Sequence, residues 1–160
     1  MTQAELLVAA LRQRRWTLGV AESLTGGAVC SQVVSVPGAS ATLLGGVVAY
    51  AIPVKHTLLG VDAALLAEHG AVHPDVAAQM AQGVRRAVAV DGRSADVGIG
   101  TTGIAGPDSP DGQPVGTVHI GIATPDGVRS IPYRFEGTRA EIRERATVAA
   151  LAEALVAVRE

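Results

Sequence analysis

Short apolar segments alternate with amphipathic ones along most of this chain, and the two kinds differ in length and period. Three are short, mostly apolar segments of strand length: residues 16–20, 46–50 and 96–101. Four others are longer and space their apolar positions as a helix does: residues 3–13, 25–36, 74–88 and 138–159. Pro53 and Asp62 are placed to start two shorter helices between them. The pattern predicts strands connected by helices.

Two further strand patterns follow one another in the second half of the chain. Residues 116–123 and 128–135 are separated by Pro125-Asp126-Gly127, which is typical of a hairpin. Alternating strands and helices followed by a hairpin predict an α/β fold, a three-layer α/β/α sandwich with a mixed, mostly parallel sheet and an antiparallel hairpin at one edge. At 160 residues, we expect a single domain over residues 1–160.

This topology predicts where a site would lie. If the first three strands are parallel, the residues after them meet at the carboxyl edge of the sheet, where open α/β sheets bind ligands. Those residues are Ser23, Tyr50 and the segment Thr102-Gly103. Gly116, at the start of the hairpin, and Arg139, at the start of the last helix, are expected to return to the same edge. The sequence therefore predicts one shared cleft.

The turn after the first strand carries the sequence Ala-Glu-Ser-Leu-Thr-Gly-Gly, residues 21–27. A serine there would lie beside the unpaired N–H groups of a helix start, which favour an alkoxide, an oxyanion or a phosphate. Gly26 and Gly27 would let a ligand approach the backbone closely. Ser23 is thus a candidate nucleophile. The structural alternative is that Ser23 or Thr25 caps the helix.

Lys55 is the one lysine of the chain, against twelve arginines. Unlike arginine, a lysine whose pKa is lowered by burial or by a nearby cation can lose its proton near neutral pH. Lys55 is therefore a candidate base for a serine hydroxyl. The alternative is a surface lysine left by an arginine-biased composition. Tyr50 has a hydroxyl that can donate, relay or orient, but it also fits the rim of a core with its tip in solvent.

Two further segments could bind an anion. Residues 102–107, Thr-Gly-Ile-Ala-Gly-Pro, offer backbone N–H groups in a glycine-rich turn but match neither a Walker loop nor a dinucleotide fingerprint. Arg139 and Arg143 lie one helical turn apart and could grip a phosphate or a carboxylate. In the alternative interpretation they form ordinary solvated pairs with Glu141 or Glu144.

Composition restricts the partners. The net charge of −2, without a polybasic stretch, predicts no direct binding to nucleic acid or to a membrane surface, and 2% aromatic residues argue against base stacking. Cys30 is the one cysteine, which fits a reducing compartment. Gly70 interrupts the helix between His69 and His73, so no metal site is expected. We expect a cytoplasmic protein that acts on a small molecule.

Six motifs, in order along nearly the whole chain, together resemble the CinA C-terminal domain family. They are residues 21–27, the Tyr50 to Lys55 spacing followed by Leu-Leu-Gly-Val at 58–61, residues 68–72, 102–107 and 114–118, and the helix start from Arg139 to Arg143. The resemblance implies a nicotinamide-nucleotide amidohydrolase that converts nicotinamide mononucleotide to nicotinate mononucleotide and ammonia for NAD synthesis. It also implies no metal or cofactor, a homo-oligomer (dimer or higher), and a stand-alone form of a domain that many relatives carry behind another domain.

The resemblance also implies roles for individual residues. Ser23 would be the nucleophile, activated by Lys55 and Tyr50. Substrate binding would involve six residues, of which the arginines would hold the 5′-phosphate: Thr25, Gly26, Thr102, Gly103, Arg139 and Arg143.

This sequence departs from the family pattern at several positions. Residues 51–54, Ala-Ile-Pro-Val, stand where many relatives have Ser-Asn-Glu, while Thr102 and His73 stand where serine is common. Leu24 occupies a position that is often cysteine. Two other functions stay open: a catalytically weak ligand-binding or interaction module linked to competence or DNA damage, and an amidase for a different amide.

Overall fold

The computed structural model describes residues 1–160, which form one sheet and two groups of helices. The strands are β1 (Leu18–Glu22), β2 (Leu43–Val48), β3 (Val97–Gly103), β4 (Thr117–Thr124) and β5 (Gly127–Arg134). The helices are α1 (Gln3–Arg14), α2 (Ala28–Val34), α3 (Ile52–Leu59), α4 (Ala63–His69), α5 (Pro74–Ala87) and α6 (Arg139–Arg159), with a 3-10 turn at Ala39–Ala41. No helix has both the length and the apolar character needed to cross a bilayer.

The five strands form one mixed sheet in the order β2-β1-β3-β4-β5. β1 pairs in parallel with β2 on one side and β3 on the other, whereas β4 is antiparallel to both of its neighbours. β5 therefore runs in the same direction as the first three strands. The predicted mostly parallel sheet with a hairpin at one edge is confirmed.

Helices cover both faces of this sheet, which confirms the three layers. On one face, α1, α2 and α6 contribute to the larger apolar core, and the smaller core on the other face draws on α3, α4 and α5. The apolar positions spaced along α5 are buried against the sheet at Val76, Met80 and Val84. This helix lies very close to the sheet, because a Cβ atom at Gly98 would stand 1.9 Å from the backbone oxygen of Ala81.

Several boundaries differ from those predicted, and the differences bring the site together. β1 runs to Glu22, so Ser23 follows the strand directly instead of lying in a longer turn. α2 begins only at Ala28, after Gly27 at φ 105°. Thr102 and Gly103 do not form a loop, because pairing with β4 continues as far as Gly103 opposite Val118.

Candidate active site

The ends of β1 and β3 and the segment after β2 meet in one cleft at the carboxyl edge of the sheet. α6, which starts after β5, adds Arg139 to it. The residues that line the cleft are Ser23, Leu24, Tyr50, Lys55, Ala71, Val72, Thr102, Gly103, Ala105 and Arg139. A wider outer pocket continues from it, shares Tyr50 and Arg139, and is bordered by Ile52 and residues 103–108. Of the features predicted to share this cleft, Ser23, Tyr50, Thr102-Gly103 and Arg139 line it, whereas Gly116 does not.

At the base of the cleft, the ammonium nitrogen of Lys55 lies against the hydroxyl of Ser23. Nζ donates to Ser23 Oγ over 2.9 Å. Lys55 is 1% exposed although it is charged in ordinary solution, and Ser23 is 8% exposed. Burial lowers the pKa of Lys55 from 10.5 to about 8, because the charged form loses its hydration. The neutral amine is therefore more accessible near physiological pH than it is for a lysine in water.

Two backbone carbonyls fix the direction of the Lys55 amine. Nζ also donates to the oxygens of Ala49, over 2.7 Å, and Tyr50, over 3.0 Å. An ammonium has three hydrogens for these three acceptors, whereas the neutral amine has two. When Lys55 is neutral, its two hydrogens satisfy the carbonyls and its lone pair faces Ser23 Oγ. That geometry suits proton transfer from the serine.

Thr101 and Glu22 hold the backbone on either side of Ser23. The Ser23 N–H donates to Thr101 Oγ1 over 3.2 Å. The fully buried carboxylate of Glu22 accepts from the amides of Val29 and Cys30, over 2.9 and 3.0 Å. The expectation that Ser23 lies beside free N–H groups of a helix start is therefore wrong, since Glu22 occupies the start of α2. Ser23 does not cap the helix either.

Three residues expected to bind substrate lie in the turn or against it rather than open to the cleft. Thr25 is fully buried, and its hydroxyl is 2.8 Å from that of Thr101. Gly26 adopts φ 60° and supports the turn. Arg143 donates from Nε to Leu24 O over 2.8 Å and from Nη2 to Thr25 O over 3.3 Å. These contacts correct the expectation for the side chains of Thr25 and Arg143, which hold the turn.

Tyr50 and Arg139 form the outer wall of the cleft. The Tyr50 side chain is 62% exposed, and its hydroxyl accepts from Arg139 Nη2 over 3.3 Å. It makes no hydrogen bond to Ser23, and its link to Lys55 is through its backbone carbonyl. Arg139 Nη1 donates to Gly106 O over 2.7 Å. Arg139 is thus the arginine that borders the cleft, and its guanidinium is exposed.

The opposite wall is formed by the end of β3 and residues 70–72. The Thr102 hydroxyl donates to Ala71 O over 2.8 Å, so this side chain fixes the wall. Ile104 N–H and C=O both bond toward the β4 side. By strand alternation the N–H of Gly103 points toward the end of β1, where Ser23 lies. Behind the wall, the His69 and His73 rings pack with centroids 4.6 Å apart, and no third ligating residue joins them.

The residues that hold the serine turn were not singled out from the sequence. Thr101 stands beside Thr102 in a strand pattern, and only the twist and register of β3 show which hydroxyl reaches Ser23. For Glu22 the sequence does contain a signal. α2 begins after two glycines, which offer no side chain to cap it, so a nearby carboxylate such as Glu22 is a candidate acceptor for its first N–H groups.

A Thr101→Val variant tests whether Thr101 positions Ser23. Valine keeps the shape but removes the acceptor of the Ser23 amide, so we expect a loss of about 1–3 kcal/mol in unfolding free energy and about a tenfold lower kcat. The matched control is Thr42→Val, since Thr42 is also fully buried and bonds one backbone oxygen, that of Ala39. Both should lose stability in denaturant titrations. Equal kcat in the two variants would contradict the role.

The fold and the site define a three-layer α/β protein with a buried serine and lysine pair at the carboxyl edge of its sheet. The family model for the CinA C-terminal domain matches residues 1–157. A CinA-like protein of Frankia casuarinae is 50% identical over 141 residues, which are 88% of this chain and 31% of that protein. The chain therefore belongs to the CinA C-terminal domain family and spans about a third of the length of the curated relatives it matches.

Solved structures agree with this assignment. The CinA superfamily protein from Klebsiella pneumoniae 700603 superposes with a TM-score of 0.91 at 28% identity, covering 98% of this chain and 96% of that one. The competence/damage inducible protein from Agrobacterium tumefaciens gives a TM-score of 0.88 at 31% identity, covering 99% and 96%. The family fold is thus present over the whole chain.

Proposed function

We propose that this protein hydrolyses the carboxamide of nicotinamide mononucleotide, which yields nicotinate mononucleotide and ammonia. The observation that carries the proposal is the 2.9 Å contact between buried Lys55 Nζ and Ser23 Oγ. A serine hydroxyl is a weak nucleophile until a base takes its proton, and Lys55 with its pKa of about 8 is such a base. The substrate comes from the family resemblance described above.

In the first step, Ser23 Oγ attacks the carboxamide carbon as its proton passes to the lone pair of Lys55. The carbonyl oxygen becomes an oxyanion. The N–H groups of Leu24 and Thr25 are bonded to no acceptor in the chain, and the Gly103 N–H points toward the same end of β1. Backbone donors of this kind stabilise charge that develops in the transition state. We assign the oxyanion to the Ser23 turn, with Gly103 as the facing donor.

In the second step the C–N bond breaks and Lys55 returns its proton to the departing nitrogen, so that ammonia leaves. The product of this step is an ester between Ser23 Oγ and the nicotinoyl carbon. Lys55, neutral again, takes a proton from a water molecule that attacks the ester. The second tetrahedral intermediate collapses as Lys55 gives this proton to Ser23 Oγ, which frees the serine and releases nicotinic acid mononucleotide. The acid loses its own proton to solvent and becomes the carboxylate product. One lysine therefore serves as base and as acid in turn.

Arg139 is proposed to bind the 5′-phosphate. It is the arginine that borders the cleft, and its guanidinium retains donors beyond those to Gly106 O and Tyr50. The Tyr50 hydroxyl contacts Arg139 and not Ser23, so we propose that this side chain orients the guanidinium and borders the substrate. The backbone carbonyl of Tyr50 orients Lys55.

An Arg139→Ala variant tests both the phosphate site and the substrate. Loss of the guanidinium should raise the KM for nicotinamide mononucleotide about 10- to 100-fold, since a charge-assisted contact to phosphate is lost. The KM for nicotinamide riboside, which has no phosphate, should change little. Ammonia release from both substrates over a concentration series measures this. Arg134→Ala, on the exposed end of β5, is the control. Equal changes for both substrates would remove Arg139 from the phosphate site.

The same chemistry on a different amide is the second candidate function. It is favoured by Ile52, a 45% exposed apolar side chain at the outer pocket in a segment where many relatives are polar. An interaction module linked to competence or DNA damage is the third, since relatives carry competence and damage names. Ammonia release from a panel of aromatic and aliphatic amides separates the second from the first. No release from any amide would favour the third.

A further inference from the structure

We propose that Arg143 is a positioning residue that orients and polarises the peptide groups of the oxyanion site. The inference rests on the proposed function, because it concerns the charge that develops when Ser23 attacks an amide. In this role Arg143 contacts the backbone of the turn after Ser23 instead of the substrate's phosphate. Its loss should therefore change kcat rather than KM.

The contacts of Arg143 are with two consecutive peptide groups after Ser23. Nε donates to Leu24 O over 2.8 Å and Nη2 to Thr25 O over 3.3 Å. Gly26 leaves room for the second contact, since a Cβ atom there would stand 3.2 Å from Nη2, closer than most Cβ contacts. Arg143 reaches the turn from the first turns of α6, and it is absent from the residues that line the cleft.

These contacts determine where the neighbouring N–H groups point. A peptide group is planar and trans, so the Thr25 N–H points opposite to the Leu24 carbonyl. Arg143 holds that carbonyl on the α6 side, so the Thr25 N–H faces away from α6. Thr25 is fully buried and Leu24 is 6% exposed, yet neither N–H has an acceptor in the chain. Buried N–H groups without partners are rare and costly, and an oxyanion is the partner they suit.

The charge of Arg143 strengthens the Thr25 N–H, which belongs to the same peptide group as the Leu24 carbonyl. The other contacted carbonyl, Thr25 O, shares its peptide with the Gly26 N–H, which already donates to Ser23 O. A hydrogen bond from a guanidinium to a carbonyl pulls electron density toward the oxygen, which makes the N–H of the same peptide a better donor. The effect is largest when negative charge forms on the far side of that peptide. Arg143 therefore stabilises the transition state more than the bound amide, and its loss should lower kcat with little change in KM.

Arg143→Gln tests the role, with Arg145→Gln as the matched control. Arg145 lies on the same helix and also donates to one backbone oxygen, that of Glu136, away from the turn. We expect Arg143→Gln to lower kcat about 100-fold for both nicotinamide mononucleotide and nicotinamide riboside, with KM changed less than threefold. Arg143→Lys, which keeps the charge, should recover about tenfold of that loss. A raised KM for the mononucleotide alone would overturn the proposal in favour of a phosphate contact.

The rate at which a fluorophosphonate probe labels Ser23 gives a readout that needs no amide substrate. Intact-mass measurements should show labelling at least tenfold slower in Arg143→Gln than in Arg145→Gln at matched fold content by circular dichroism. If the wild type is labelled but releases no ammonia, the proposed substrate is wrong. The comparison of labelling rates between Arg143→Gln and Arg145→Gln still tests the role of Arg143. Equal labelling rates in Arg143→Gln, Arg143→Lys and the control would overturn the inference, as would a wild type that is not labelled at all.

Discussion

Replacing Ser23 with alanine is expected to lower ammonia release from nicotinamide mononucleotide by about 10⁴-fold or more. The reason is that no other hydroxyl of the cleft lies against Lys55, whose remaining contacts are to the carbonyls of Ala49 and Tyr50. Nucleophile removals in serine hydrolases have effects of this size. The substitution removes one oxygen from a turn held by backbone contacts, so the fold should persist.

Two controls make the Ser23→Ala result specific. Ser35→Ala removes an exposed hydroxyl that bonds only Gln32 O, after α2, and should leave turnover unchanged. Binding of the mononucleotide to Ser23→Ala, measured by calorimetry, should stay within about threefold of the wild type. Residual turnover above a tenth of the wild type in a folded variant would exclude Ser23 as the nucleophile.

Lys55→Arg is expected to lower kcat by about 10³-fold, the size of effect that removal of a general base produces. Arginine keeps a cation but does not lose its proton near neutral pH, so it cannot accept one from Ser23. Lys55→Met serves as the companion variant, because it fills the buried site without a charge. Near-normal turnover in either folded variant would reject Lys55 as the base.

The pH dependence of kcat/KM gives an independent view of Lys55. Because the neutral amine is the base and its pKa is lowered to about 8, activity should rise with pH up to about 8 and level off above it. The free energy of unfolding should also rise with pH. Lys55 has a pKa of about 8 in the folded protein and 10.5 in the unfolded chain, so between pH 8 and pH 10.5 the unfolded chain binds more protons. The contribution of Lys55 to stability therefore increases across this pH range. The residual activity of Lys55→Met should lack the limb near pH 8.

The convergence of the site could be predicted from the order of strands and helices alone. Parallel strands bring their carboxyl ends together, which predicts that Ser23, Tyr50 and Gly103 share one cleft. Lys55 was identified because a lone lysine among arginines differs from them in chemistry. These inferences depend on topology and on residue type, and both are properties that a sequence contains.

The direction of individual side chains could not be predicted in the same way. Arg139 and Arg143 lie one turn apart on α6 and look equivalent in sequence, yet one borders the cleft and the other donates to the Ser23 turn. The difference depends on how α6 is rotated against the sheet. Likewise, the sequence allows Thr25 to cap the helix or to contact a ligand. Only the register of β3 shows that the Thr25 hydroxyl is hydrogen-bonded to the hydroxyl of Thr101.

The most direct test of the account is ammonia release from nicotinamide mononucleotide by chelator-treated wild-type protein, with the nicotinate mononucleotide formed measured in the same samples. We predict equal amounts of both products from the wild type and neither from Ser23→Ala. Absence of both products with folded wild-type protein, or their undiminished formation by Ser23→Ala, would contradict hydrolysis of this amide by the Ser23 and Lys55 pair.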